Sequence, residues 1–313
     1  MEKIFLKTLN WFLYESELMV ISKHQLYMKM VEFLDAEELS ERDLKSLIRR
    51  SEKTLFFRLV ESFRHDLIAT HYSKKSESLY FSNLIKMSGK EDFIAEKIIQ
   101  ELYPFGYFAY QTSLKLHGIS PMGKDDVLMY VIPDRKTWLS LCIDELPTLS
   151  NKKLEEKFFN ENNKRLWLMS YPNEINILNH KLILFSKKNL SHPIILNGIR
   201  VENIFETIMI STQQPQYFGG MKKVISLHNY IVTSSAKLDD YINFVDKNGY
   251  LIDKARIGYI LNIIYNVKNP IIEKWKEMNS EKRGGSRKLI SFLPYSDVYD
   301  GSWNISLNFK ENG

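Results

Sequence analysis

The chain has 313 residues, of which 44% are hydrophobic and 26% are charged, a balance that excludes wholesale disorder and predicts about two domains. Its formal net charge of +5 permits a nucleic-acid partner without requiring one. The single cysteine excludes an intrachain disulfide and favours a reducing compartment. Because no apolar run resembles a signal peptide or approaches the ~18 residues of a membrane helix, we expect a soluble cytoplasmic protein without a membrane partner.

The first 41 residues are acidic, with four Lys/Arg and eight Asp/Glu. Residues 2–16 place Ile4, Phe5, Leu9, Phe12 and Leu13 on one stripe, which predicts an amphipathic helix. The short apolar run 17–21 predicts a strand. Ser22 followed by Gln25 is typical of a capping box and predicts that a second helix occupies about 23–36.

Residues 42–90 are basic, with eleven Lys/Arg and five Asp/Glu. Apolar periodicity predicts helices over 41–50 and 53–65. Two β-prone runs, 67–72 and 78–82, flank the polar turn 73–76 and predict a hairpin. Short helices followed by a hairpin indicate a winged helix-turn-helix domain over residues 1–90.

Basic side chains lie on the elements that such a domain uses to contact DNA. A helix of this fold enters the major groove, and the hairpin wing contacts backbone phosphate. Arginine can bind guanine or phosphate through two hydrogen bonds, whereas lysine supplies a point charge. The predicted double-stranded-DNA-binding residues are Arg49, Arg50, Lys53, Arg58 and Arg64 on the helices, and Lys74 and Lys75 at the wing tip.

The remaining residues, 91–313, predict a larger α+β domain. We expect a helix over 91–102, buried strands over 126–132 and 181–186, and weaker strands over 166–171 and 193–197. Further helices are predicted over 202–213, 220–232 and 254–266, and short strands over 287–309.

The sequence offers little support for an enzyme, and we expect neither catalysis nor a cofactor. Phosphate-binding glycine motifs are missing from the sequence. Gly284, Gly285 and Ser286 precede Asp297 and Asp300 as in nucleotidyltransferases, but a D-x-x-D spacing on a strand sends the carboxylates to opposite faces. A metal-dependent nuclease or nucleotidyltransferase using these two aspartates is therefore the weakest alternative.

Histidine and cysteine give no metal or nucleophile pattern. The histidines lack the i, i+4 pairing of zinc ligands, and Cys142 has no cysteine partner. We expect His65 and His71 to pack or to lie near phosphate, His117 to cap a helix or join the core, and Cys142 to be a buried thiol.

Three segments of the second domain resemble the AbiEi family of abortive-infection antitoxins. The first is 103–119, which resembles the family's opening helix and ends in His117, Gly118 and Ile119. The second runs from Val201-Glu202-Asn203-Ile204-Phe205-Glu206-Thr207 to Pro215-Gln216-Tyr217-Phe218-Gly219-Gly220. The third joins Arg256-Ile257-Gly258-Tyr259-Ile260-Leu261 to Trp303-Asn304-Ile305-Ser306-Leu307-Asn308.

The resemblance implies a DNA-binding antitoxin and transcriptional autorepressor of a bacterial phage-defence operon. Such proteins bind inverted repeats in their own promoter and oppose an AbiEii-like nucleotidyltransferase toxin, commonly without a stable complex. Asn203 and Gln214 replace the arginines of the family's E-R-T and R-P motifs. An alternative, favoured by the acidic start and the long N-terminal region, is a non-catalytic subunit of a multi-gene antiphage complex that acts through protein contacts.

Overall fold

A computed structural model describes the chain over residues 2–36, 67–70, 83–86, 95–119, 126–152, 155–156, 159, 168–173, 176–177, 180–281 and 287–309. The chain divides into two compact units. The first contains Met1–Gly106, Ile132–Leu178 and Ser186–Leu190, and the second contains Tyr107–Val131, Asn179–Phe185 and Ser191–Gly313. The predicted boundary between residues 90 and 91 lies outside the described residues, so this division stays a prediction.

The described α-helices are α1 (Glu2–Asn10), α2 (Lys23–Ala36), α3 (Ala95–Leu102), α4 (Tyr110–Leu116), α5 (Arg135–Asp144), α6 (Ile204–Gln213), α7 (Met221–Val232), α8 (Ser235–Asn248), α9 (Leu251–Tyr259) and α10 (Pro270–Glu281). Two π-helical turns, Trp11–Glu15 and Ile260–Ile264, extend α1 and α9, and Pro215–Phe218 forms a 3₁₀ turn. Within the described part of the chain, none of the helices is both long and apolar enough to cross a membrane.

The described strands are β1 (Val20–Ser22), β2 (Leu67–Thr70), β3 (Asn83–Lys86), β4 (Tyr107–Phe108), β5 (Val127–Pro133), β6 (Asn176–Ile177), β7 (His180–Lys187), β8 (Ile194–Leu196), β9 (Ile199–Val201), β10 (Arg287–Lys288), β11 (Tyr299–Asp300) and β12 (Ile305–Ser306). They form sheets with the strand orders β1-β3-β2, β10-β12-β11 and β6-β7-β5-β4-β9-β8. Strand β4 pairs antiparallel with β5 and parallel with β9, so the largest sheet is mixed. The α+β prediction is confirmed at this level.

The first helix packs as its apolar stripe predicts. Ile4, Phe5, Leu9 and Phe12 are buried in one cluster with residues of β1 and α2, and Leu13 packs against that cluster. The stripe continues through the π-helical turn, where Phe12 is fully buried. Burial of these side chains holds α1 against α2, because each large apolar side chain contributes roughly 1.5–3 kcal/mol.

The predicted capping box at the start of α2 is confirmed. The backbone N–H and the hydroxyl of Ser22 both donate to Gln25 Oε1, at 2.9 and 2.8 Å, and Gln25 N–H donates to Ser22 Oγ at 3.1 Å. These bonds satisfy backbone donors that a helix start leaves without partners. The second helix therefore begins at Lys23 and ends at Ala36, as predicted.

Two strand predictions need correction. The strand predicted over 17–21 is instead Val20–Ser22, and Glu101 Oε2 accepts the N–H groups of Met19 and Val20 where it begins. The strand predicted over 166–171 is wrong for its described part, 168–171. The Met169 carbonyl there accepts from Trp138 Nε1 at 3.2 Å, so a side chain takes the place of a strand partner.

In the second unit, the helix predicted over 220–232 corresponds to α7, and that predicted over 202–213 corresponds to α6. The helix predicted over 254–266 begins earlier, at Leu251, and turns π-helical at Ile260. The short strands predicted over 287–309 are confirmed as β10, β11 and β12. Asp300 starts the turn between the last two, since its carboxylate accepts Trp303 N–H at 2.9 Å.

Gly258 lets the closing segment pack directly on α9. The ring of Trp303, which is fully buried, lies against the Gly258 backbone, in space that a Cβ would occupy. Close packing of a helix against an indole therefore requires glycine at this position.

We expect Gly258→Ala to destabilise the second unit by about 1–3 kcal/mol, because the new methyl group forces the Trp303 ring out of its place. Urea unfolding followed by tryptophan fluorescence measures the change. Gly301→Ala is the matched control, since a Cβ there meets nothing within 4 Å. Equal stability of the two variants would contradict the packing argument.

His228 is buried between α7 and α8 in its neutral form. Its Nδ1 lies 2.9 Å from the Val224 carbonyl, which can only accept, so Nδ1 carries the proton and Nε2 accepts from the Tyr241 hydroxyl at 3.4 Å. Burial lowers the pKa of His228 from 6.5 to about 4.

This lowered pKa predicts acid sensitivity of the second unit. Between pH 6.5 and about 4 the unfolded chain binds a proton that the folded chain excludes, so stability falls as the pH falls through this window. Over the whole window, the free energy of unfolding falls by about 3 kcal/mol. We expect the pH dependence of the free energy of unfolding to be shallower in His228→Gln than in the wild type, whereas the exposed-site control His192→Gln keeps the wild-type slope. Parallel slopes in all three proteins would exclude a role for His228.

Candidate functional site

The residues predicted to contact DNA lie outside the described part of the chain. This holds for Arg49, Arg50, Lys53, Arg58, Arg64, Lys74 and Lys75, and also for His65 and His71. The strands that adjoin two of these segments are described. Strand β2 pairs antiparallel with β3, and β3 pairs antiparallel with β1.

The residues weighed for catalysis or metal binding, Asp297, Asp300 and Cys142, have surroundings that are ordinary for structural residues. Asp297 is exposed, and Asp300 accepts from Ser302 Oγ at 2.7 Å and from Trp303 N–H. Cys142 is buried as expected, and burial raises the pKa of its thiol to about 11. Among the described residues, no group of three or more His, Cys, Asp or Glu is placed to hold a metal ion.

A buried polar junction instead forms around Glu202, in the two-residue link between β9 and α6. Glu202 N–H donates to the Phe108 carbonyl at 2.8 Å, and the Glu202 carbonyl lies 3.2 Å from Ser113 Oγ and 3.0 Å from His117 Nε2. Because a carbonyl only accepts, His117 Nε2 carries a proton in this arrangement. His117 is also the C-cap residue of α4, which confirms the capping role expected for it.

The Glu202 side chain is fully buried and bound by a hydroxyl. Thr207 Oγ1 donates to Glu202 Oε2 at 3.0 Å, and Ser113 Oγ lies 2.8 Å from Thr207 Oγ1. Ser113 Oγ has one proton and faces two acceptors, the Glu202 carbonyl and Thr207 Oγ1, while Thr207 Oγ1 donates to the carboxylate. We call Ser113, His117, Glu202 and Thr207 the Glu202 junction.

Two buried tyrosines flank the Glu202 junction. Burial raises the pKa of Tyr107 to about 12, and the hydroxyl of Tyr107 accepts from Ser191 N–H at 3.3 Å. Burial also raises the pKa of Tyr110, and the charge of Glu202 adds to that shift. Both phenols are therefore neutral at physiological pH, and both lie where the Glu202 charge reaches them.

Tyr110 has a left-handed backbone, with φ at +55°. A bulky residue in this region is strained by roughly 1–3 kcal/mol and persists only where its surroundings hold it. The Tyr110 ring packs against Phe185, Tyr217 and Phe218, with centroid distances of 4.2, 5.4 and 5.9 Å. Strain beside a buried carboxylate is typical of functional sites.

The structure brings the first two motif segments together. Ser113, His117 and Tyr110 belong to the segment 103–119, and their partners Glu202, Thr207 and Tyr217 belong to the second segment. The third segment is joined internally by Gly258 and Trp303, and Arg256 Nε donates to the Lys288 carbonyl at 3.1 Å. Tyr107, Tyr110, Tyr259 and Trp303 are all buried, as expected of core residues.

The arrangement of the Glu202 junction supports positioning rather than reaction. Glu202, Ser113 and Thr207 are fully buried, so a substrate in solvent cannot reach them in this conformation. Sequence reasoning included Glu202 only as part of a motif and missed its place in the junction. Only its neighbour marks its position in the sequence. Asn203 is a typical N-cap residue, and its side chain accepts Phe205 N–H at 2.9 Å at the start of α6, directly after Glu202.

No protein-family model matches this chain, and no curated protein matches it. Among solved structures, the crystal structure of the RV2827C protein from Mycobacterium tuberculosis is similar over 96% of this chain and 90% of that chain. Its sequence identity is 9% and its TM-score is 0.49, values at which the likeness carries no argument about function.

We expect Thr207→Val to lower the free energy of unfolding by about 1–3 kcal/mol, because it leaves the buried Glu202 carboxylate without this hydroxyl donor. Urea unfolding measures the loss. Thr233→Val is the control, since the Thr233 hydroxyl is exposed and bonds only within its own helix turn, to the Tyr230 carbonyl. A loss of equal size at both positions would show that the junction contributes nothing of its own.

Proposed function

We propose that this protein is a non-catalytic, DNA-binding antitoxin of the AbiEi type that represses its own promoter. The observation that carries the DNA-binding part is the strand order β1-β3-β2 in an antiparallel sheet, with α1, β1 and α2 before β2. Winged-helix domains have this strand order, in which the last strand lies between the other two. The finer assignment as a winged helix-turn-helix is part of the proposal.

The basic residues fall on the connections that this arrangement assigns to DNA. Residues 37–66 join α2 to β2, and in a winged helix this connection contains the recognition helix. It includes Arg49, Arg50, Lys53, Arg58 and Arg64. Residues 71–82 join β2 to β3, which is the place of the wing, and include Lys74 and Lys75.

The antitoxin part is supported by the contacts among the motif residues in the second unit. Tyr110, Ser113 and His117 of one AbiEi-like segment touch Tyr217, Thr207 and Glu202 of another. The motif residues that resemble the family in sequence therefore contact one another in the structure. We propose that this unit opposes an AbiEii-like nucleotidyltransferase toxin without forming a stable complex with it.

We expect the protein to bind its own upstream DNA in a mobility-shift assay, with an affinity that falls steeply as salt rises. Arg49→Ala combined with Arg50→Ala should weaken binding at least tenfold and lower the slope of log affinity against log salt by about 2, if both side chains contact phosphate. Lys222→Ala combined with Lys247→Ala removes the same charge from exposed positions of the second unit and should leave both values unchanged.

The absence of a shift at low salt with folded protein would overturn the DNA-binding proposal. Equal losses in the two double variants would show that binding follows total charge rather than the proposed helices. Stable co-purification with products of the neighbouring genes, without promoter binding, would instead support a non-catalytic subunit of an antiphage complex.

A further inference from the structure

A cleft of about 440 Å³ opens in the first unit, between the N-terminal helices and the segments around Phe105 and the end of α5. Its volume lies within the range of about 300–1,000 Å³ that is usual for ligand pockets. Its described lining residues all belong to the first unit. Its lining includes Trp11, Met28, Phe105, Leu146, Met169 and Cys142.

The apolar part of the walls suits a flat aromatic ring. Trp11 and Phe105 supply aromatic surface, and the thioethers of Met28 and Met169 supply polarisable contacts that pack well against aromatic rings. The Phe105 ring is held in place by Trp138, with 5.0 Å between ring centroids at an angle of 74°. This wall is therefore formed before any ligand enters.

The charges at the cleft disfavour anions. Glu32 and Glu145 contribute carboxylates to the lining. Lys29 is bound to Glu32 at 2.6 Å, and its ammonium lies 4.8 Å from the centre of the Trp11 ring, so its charge is already compensated. His24 also lines the cleft, and burial lowers its pKa to about 4, so it is neutral near pH 7 and adds no positive charge.

We infer that the first unit binds a small neutral or cationic aromatic molecule in this cleft. The aromatic and thioether walls provide its apolar contacts. The Glu145 carboxylate, which is in excess of the Lys29–Glu32 pair, admits a cation and repels phosphate or carboxylate groups. The site belongs to the first unit and does not depend on the proposed antitoxin function.

A pair of related dyes tests both the shape and the charge of this site. N-phenyl-1-naphthylamine is neutral, and 1-anilinonaphthalene-8-sulfonate has nearly the same ring system with an added sulfonate. We expect the full-length protein to bind the neutral dye at least tenfold more tightly, measured by fluorescence titration. Equal affinity for the two dyes, or tighter binding of the sulfonate, would overturn the inference.

Variants on and beside α5 locate the binding. Leu146→Trp places a larger side chain in the cleft and should weaken binding of the neutral dye at least tenfold. Leu139→Trp makes the same change at a position of α5 that is 40% exposed and not part of the cleft lining, so it should bind like the wild type. Equal binding by the two variants, with matching circular dichroism spectra, would place the dye elsewhere.

Cys142 gives a second readout that does not require a variant. It is the single cysteine of the chain, it lines the cleft, and only 3% of it is exposed. Burial raises the pKa of its thiol to about 11, so alkylation by iodoacetamide is best followed at alkaline pH. Saturating neutral dye should slow alkylation at least fivefold, and an unchanged rate in its presence would contradict occupancy of the cleft.

Discussion

The second unit depends on one buried residue, Glu202, which is bound through its backbone N–H, its carbonyl and its carboxylate. Its N–H fixes β9 beside β4, its carbonyl receives the end of α4, and its carboxylate receives the first turn of α6. A carboxylate without hydrogen bonds would cost several kcal/mol to bury. Its hydrogen bonds therefore require α4 and α6 to meet in one relative position, beside the paired strands β4 and β9.

This constraint bears on how the proposed functions are divided. The residues proposed to bind DNA belong to the connections of the β1-β3-β2 sheet in the first unit, whereas the AbiEi-like motif residues are joined around Glu202 in the second. Because Glu202, Ser113 and Thr207 are fully buried, these three residues can contribute to the proposed antitoxin function only by shaping the surface above them. A substitution in the Glu202 junction should then lower the stability of the second unit more than it changes any surface contact of that unit.

Local patterns predicted those elements whose determinants lie within one or two helical turns. The apolar stripe of α1 and the Ser22–Gln25 box of α2 are of this kind, and both are confirmed. The candidate site was not predictable in this way, because Ser113 and Thr207 meet across 94 positions and His117 and Glu202 across 85. The strand predicted over 166–171 is wrong in its described part for the same reason, since the indole of Trp138 donates to the Met169 carbonyl from 31 positions away.

The strained Tyr110 explains how the aromatic cluster and the Glu202 junction depend on each other. A left-handed residue turns the chain sharply between β4 and α4, and this turn directs Ser113, one helical turn later, towards Thr207. Glycine would adopt this backbone without strain, but it would lose the ring that packs against Phe185 and Tyr217. The ring contacts offset the strain of the turn. The turn places Ser113 against Thr207, whose hydroxyl donates to the buried carboxylate. A tyrosine at this position thus couples apolar packing to a buried charge.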